Sequence, residues 1–257
     1  DQSGLAIGFG WLGRTDFVGV LSDEDNSARG SGYFGFLKDP TDADARRHMF
    51  PMQPGCGTLG PQPAWSFQEG FEDELVLEGD SFLLGLPLSE GGLYFSADID
   101  PAQVVAGAEY GLAPLLHPDG REAESTTFAQ LPAEFLFADA GLEGLEWSFR
   151  ARGELNFGWR GSTGDWMVGE FSLYDVDGNG QLVELGKHYC LAQDQEGEGL
   201  FSLSETVFSE WAPGQILVLS LHSIQSLPDA GPFRYEDNNA ELRMAGRVTR
   251  ITALGTQ

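Results

Sequence analysis

Lysine is almost missing from this chain. Lys38 and Lys187 are the only two, and with the arginines they set 14 basic residues against 40 acidic ones over 257 positions, a formal charge of −26. The excess is not a tail: residues 1–127 carry a net −15 and residues 128–257 a net −11. A negative field of that extent repels phosphate backbones and anionic lipid, which argues against nucleic acid and the inner membrane leaflet as partners. Such a surface stays soluble when salt screens it, the Debye length being about 3 Å near 1 M. A marine or halophilic setting fits; so does the plain acidity of many secreted proteins.

Cysteine is equally scarce. Cys56 and Cys190 are too few for a disulfide scaffold and do not form a zinc motif. Paired, they close a loop of about 130 residues, which in the chain-entropy picture adds roughly 4–5 kcal/mol. Left apart, they are two buried thiols. The exported character of the rest of the chain favours the pairing.

No run of 18 apolar residues exists, so no transmembrane helix is expected. Asp1-Gln2-Ser3 has neither a charged nor an apolar leader region, and no lipobox cysteine stands at Asp1, which leaves a lipid anchor open.

Catalytic signatures are absent too. There are four histidines, but no G-x-S-x-G elbow, H-E-x-x-H, P-loop, C-x-x-C-H or dinucleotide fingerprint. His188 and His222 both fall on expected strands, where His222 is expected to satisfy a hydrogen bond within the apolar run Ile216 to Ile224. A jelly-roll glycoside hydrolase needs only two carboxylates at the right separation, a test with little power among 40 acids. Glu170 to Asp175 reads E-F-S-L-Y-D and departs from the compact E-x-D-x-x-E strand of retaining β-glucanases.

What the chain does have is period-2 alternation. Leu155, Phe157 and Trp159 alternate with Glu154, Asn156, Gly158 and Arg160; Leu242, Met244 and Val248 alternate with Glu241, Arg243 and Arg247. Each pattern describes a strand with one face on a core and one in water. Strands are expected near 5–12, 17–22, 31–38, 74–78, 81–86 and 93–99, then near 145–151, 154–160, 166–174, 182–191, 199–203, 215–224 and 241–251. Asp100-Pro101 reads as a cap with proline at the first helical position, and a second helical turn is expected between Ser204 and Pro213-Gly214. The fold class is therefore all-β: two packed antiparallel β-sandwich domains, Ig-like or jelly-roll, over 1–115 and 131–257, with 116–130 as linker. The alternative is that this proline-bearing stretch is a loop crossing one large sandwich.

Candidate sites follow from the irregular segments. Residues 39–65 carry five prolines together with Arg46, Arg47 and Cys56, either a contact surface or a flap over a sheet edge. Among the tryptophans, Trp65 and Trp166 follow turn-rich sequence and are candidates for exposure in a sugar-binding platform, whereas Trp159 continues an apolar face and belongs in a core. Asp175-Val176-Asp177-Gly178-Asn179-Gly180-Gln181 matches the first half of a calcium loop, with Asp175, Asp177, Asn179 and Gln181 as alternating oxygen donors. Position 12 is Gly186 rather than glutamate, and the flanks read as strands. A hairpin turn accounts for the same residues.

The second half also resembles a layout common in secreted, often lipid-anchored proteins of myxobacteria and their relatives. A Trp-bearing strand (Trp147 or Trp159) precedes a Gly164-Asp165 turn and a further strand. Cys190 closes the next strand, an acidic turn leads into Gly199-Leu200-Phe201-Ser202-Leu203, and Pro213-Gly214 precedes an apolar strand. The likeness spans about 145–222 and implies a β fold and an envelope or extracellular location, with no catalytic residue. Together these readings point to a non-catalytic exported structural or binding protein, secreted, periplasmic or on the outer cell surface. Its expected partners are other envelope or extracellular proteins or its own copies, and no cofactor is expected beyond calcium. The alternatives are a carbohydrate-binding module with structural calcium and, third, the glycoside hydrolase.

Overall fold

The computed structural model describes residues 6–18, 28–37, 54–58, 73–80, 83–112, 126–138, 148–149, 155–194, 196–203, 212, 214–227, 232–235 and 238–256. They form β1 (Ala6–Phe17), β2 (Arg29–Leu37), β3 (Gly55–Gly57), β4 (Glu74–Glu78), β5 (Leu83–Pro87), β6 (Leu93–Ile99), β7 (Glu109–Leu112), β8 (Thr126–Gln130) and β9 (Leu136–Phe137). The second half adds β10 (Ser148–Phe149), β11 (Leu155–Arg160), β12 (Trp166–Val176), β13 (Leu182–Gln193), β14 (Glu198–Leu203), β15 (Ile216–Leu227), β16 (Pro232–Tyr235) and β17 (Asn238–Thr256). No α-helix occurs among the described residues. Pro101–Gln103 makes one 3-10 turn, and the Asp100 carboxylate accepts from the Ala102 N–H at 2.9 Å, the capping role expected of it.

The all-β class is the one the alternation implies. Ten strands join one mixed sheet whose main path runs β3-β13-β12-β15-β17-β1-β2-β6, with β10 and β16 pairing β17 off that path. Two smaller sheets, β14-β11-β9 and β5-β4-β7-β8, complete the fold. Side chains from all three meet in a single core. Leu12, Phe34, Met167, Phe171, Leu219, Leu221 and Val248 belong to the large sheet; Leu75, Leu77, Leu84, Leu86 and Tyr110 come from one small sheet, and Phe157, Trp159 and Phe201 from the other. The aromatic rings interlock across the layers: Phe157 and Phe171 centroids lie 5.1 Å apart, and Phe171 and Phe201 meet edge-on at 6.4 Å. Trp159 is buried in this core.

The expected division at 116–130 does not follow the sheet. β1, from the first half, pairs in parallel with β17 from Ala6↔Ala240 to Phe17↔Ile251, and β2 and β6 extend the same sheet outward from β1. Thr126–Gln130, placed in the linker, is strand β8, which pairs with β7. Both small sheets share one core with the large sheet. Period-2 patterning is blind to this, because it reports which face of a strand is apolar and not which strand lies beside it.

Smaller differences have local causes. The strand expected at 5–12 runs on to Phe17, because Gly13 and Arg14 interrupt the apolar pattern without breaking the ladder; most of the strand expected at 17–22 lies outside the described residues. β3, β7, β9 and β16 are two to four residues long, too short to show a period. Within the irregular stretch 39–65, Gly55–Gly57 pairs along the edge of β13, so this part covers an edge strand. Cys56 lies opposite Cys190 in that pairing, and the two form a disulfide, 134 residues apart in sequence. The helical turn expected between Ser204 and Pro213 lies largely outside the described residues.

The small sheet carrying β8 rests directly on the large one. A Cβ at Gly246 of β17 would overlap the carbonyl of Gln130, so the backbones touch where only glycine fits. Arg250 fastens the segment after β8 by donating to the Phe135 carbonyl at 2.7 Å. Replacing Gly246 with valine is expected to cost about 1–3 kcal/mol, as overpacked positions do. Urea unfolding should show a lower midpoint at unchanged slope; an unchanged midpoint would mean that β8 does not rest on β17.

Candidate functional site

The large sheet has two faces. One carries the core; the other is reached by the alternate residues of the same strands. Cross-strand register places Trp166, Ile224 and Arg247 in one row of that second face, and Val168, His222, Thr249 and Thr15 in the next. Trp11 and Tyr33 stand side by side in the row on the other side of Arg247. The face is thus built from aromatics, hydroxyls and a few charges rather than from the anionic residues that dominate the composition.

Its centre is Arg247. The guanidinium lies 3.8 Å from the Trp11 ring centroid, a stacked cation–π contact, and Trp11 meets Tyr33 edge-on at 5.2 Å. Gly13 makes the arrangement possible, since a Cβ there would stand 3.0 Å from the indole and 3.1 Å from the Arg247 carbonyl. Arg247 Nε is buried and has no hydrogen-bond partner, and no carboxylate among the described residues forms an ion pair with the side chain. Glu170, two rows along the face, is committed elsewhere: Lys187 Nζ binds it at 2.8 Å. Burial pulls the Arg247 guanidinium down to about 10, against the opposing influence of Tyr33 and Glu170, which leaves it cationic at neutral pH. Burial pushes the Tyr33 phenol well above its ordinary range although Arg247 draws it the other way.

His222 completes the centre. Its Nδ1 and Thr249 Oγ1 are hydrogen-bonded at 2.8 Å, so the expected bond is made to the neighbouring strand β17. Burial, then the charges of Arg247 and Lys187, depresses the imidazole to about 3. For Lys187 burial acts downward, but the hydrogen bond and charge of Glu170 outweigh it and hold the ammonium above its ordinary range.

Of the residues singled out in sequence, Trp166 belongs to this face, half-buried, with one strand between it and Arg247. Trp65, Arg46 and Arg47 lie outside the described residues. Asp175, Asp177, Asn179 and Gln181 stand at the β12–β13 hairpin. The Asp177 carboxylate accepts from the backbone N–H groups of Asn179 and Gln181, both at 2.8 Å, and Gly180 adopts φ +80°. These amide bonds, led by Gln181, lower the Asp177 carboxyl from its usual range. Asp175 Oδ1 accepts from the Val176 N–H at 2.8 Å. As folded, the segment is a capped turn, and among the described residues no three His, Cys, Asp or Glu side chains gather to hold a metal ion. Asp165 of the Gly164-Asp165 turn has a fastening role: its Oδ2 accepts from Gln225 Nε2, Ser226 N–H and Ser226 Oγ at 2.9–3.0 Å.

Sequence reasoning missed Arg247, Tyr33 and the centrality of Trp11. The available signal was the composition of β17, where Ala245, Arg247, Thr249 and Ile251 alternate with core residues without forming a charged, solvated face.

Two predictions follow from this geometry. The unfolded chain binds a proton on His222 near the ordinary 6.5, and the folded chain refuses it down to about 3. The contribution of His222 is therefore fully present above pH 6.5 and falls as pH drops, by at most about 1.4 kcal/mol per pH unit. Urea unfolding of the protein and of His222→Gln at about pH 7 and about pH 4.5 should show the variant gaining on the parent at the lower pH; a constant gap would refute the assignment. At the hairpin, chelator should leave the melting temperature unchanged, and Asp177→Ala should accelerate amide exchange at Asn179 and Gln181. Stabilisation by added calcium that Asp177→Ala abolishes would place an ion there instead.

No protein-family model matches the chain, and no curated protein matches it. Among solved structures, a protein described as a "putative carbohydrate binding protein" from Bacteroides uniformis is similar at 7% identity over 96% of this chain and 98% of that one, with a TM-score of 0.24, too low to carry an argument about either fold or function.

Proposed function

We propose that this chain is a non-catalytic exported binding protein of the cell envelope or extracellular space, and that the second face of its large sheet is the binding surface. The observation that supports this reading best is Arg247, an arginine stacked on Trp11 whose Nε has no acceptor, in a chain where acids outnumber bases 40 to 14. Buried donors without partners are uncommon in folded proteins, and a bound ligand is one way to satisfy them. The face offers holding chemistry. Trp11, Tyr33 and Trp166 supply flat apolar area, while His222 is neutral and tied to Thr249, and Glu170 is tied to Lys187.

The location rests on other features. A disulfide between residues 134 positions apart is at home in an oxidising compartment. The acidic, lysine-poor composition and the resemblance of residues 145–222 to secreted and lipid-anchored β proteins agree with it. A carbohydrate-binding role is the form of the reading that the three aromatics favour, because sugar rings stack on such surfaces.

Calorimetry against a panel of neutral and acidic oligosaccharides should give measurable heat, lost on Trp11→Ala with the fold retained, and the sugars should be recovered intact. Turnover of any of them would overturn the non-catalytic assignment. Silence across the panel, with concentration-dependent multimers in light scattering, would favour a self-assembling structural role instead.

A further inference from the structure

We infer that the ligand of this face is an acidic saccharide, one whose sugar ring carries a carboxylate, and that Arg247 is the residue that reads the charge. The inference rests on the binding role proposed above and names its ligand class.

Three observations carry it. Stacking on Trp11 fixes the plane of the guanidinium, so its N–H donors project in that plane as a preformed fork, the geometry that matches a carboxylate bidentately. Nε, one of those donors, lacks any acceptor, and Glu170, the carboxylate whose charge acts on Arg247, is held by Lys187. Finally, Trp166 shares the cross-strand row of Arg247 at a remove of two strands, roughly 10 Å at ordinary strand spacing. One end of an extended ligand would thus meet a cation and the other an indole face.

The whole-chain charge narrows the class further. A net −26 opposes polyanions approaching from a distance. It tolerates a largely neutral body whose few charges are read at contact, which describes an oligosaccharide with uronate residues. A peptide C-terminal carboxylate shares the charge but lacks the flat C–H faces that would use Trp11, Tyr33 and Trp166.

The test compares a neutral xylo-oligosaccharide bearing a single glucuronate with its methyl ester, so that the ligand's charge changes while the protein does not. The acid should bind about tenfold or more tightly than the ester, the scale of a hydrogen bond to a charged group. Arg247→Gln should abolish that preference and weaken the acid alone, and Arg247→Lys should restore it only in part, with thermal melting confirming that each variant is folded. Equal affinity for acid and ester would overturn the inference while leaving the binding role standing. Binding of neither, nor of any neutral sugar, would overturn both. Binding of a free-carboxylate peptide but not its amide, with no sugar bound, would replace the saccharide class by a peptide one.

Discussion

The parallel ladder between β1 and β17 is the constraint on which the rest of this structure depends. β17 is 19 residues long and has neighbours on both edges: β15 and β16 along one, β1 and β10 along the other. Joining strands from opposite ends of a chain this long closes a very large loop, and the ordering cost must be recovered by contacts that form together. The continuous apolar side of the large sheet supplies them, since both small sheets pack on it and share one core. A break in the β1–β17 pairing would therefore divide the large sheet into β3-β13-β12-β15-β17 and β1-β2-β6.

The same ladder determines where the chemistry lies. With one side of the sheet committed to the core, period 2 sends Trp11, Tyr33, Trp166, His222 and Arg247 to the other side, although they come from five different strands. Their neighbours then set their electrostatics. His222 stays neutral because it is buried beside two cations, and Glu170 is held by Lys187 rather than by Arg247. Much of the visible acidity sits elsewhere, as with Glu74 and Glu78 on the outer side of β4 and Glu198 at the start of β14, all exposed.

Much of the secondary structure was legible in the residues. Leu155, Phe157 and Trp159 alternate as a strand should, and β11 has Phe157 and Trp159 in the core. Asp100-Pro101 announced a capped turn and delivers one. Asp177 and Gly180 marked a turn that the residues announced, and Asp177 accepts that turn's own amides. The candidate face was far less visible. Arg247 reads as one more solvated charge until its neighbours are known, and Trp11 as one of several tryptophans.

By itself, then, the sequence determined the fold class, the strand faces and the chain's net charge, because alternation, turn residues and charge are local or additive properties. Only the tertiary structure decided that the two halves share one sheet, that Cys56 lies opposite Cys190, and that Arg247 rests on Trp11 beside Tyr33. Those are pairings between residues tens to hundreds of positions apart. No periodicity along the chain encodes them; strand order and register do.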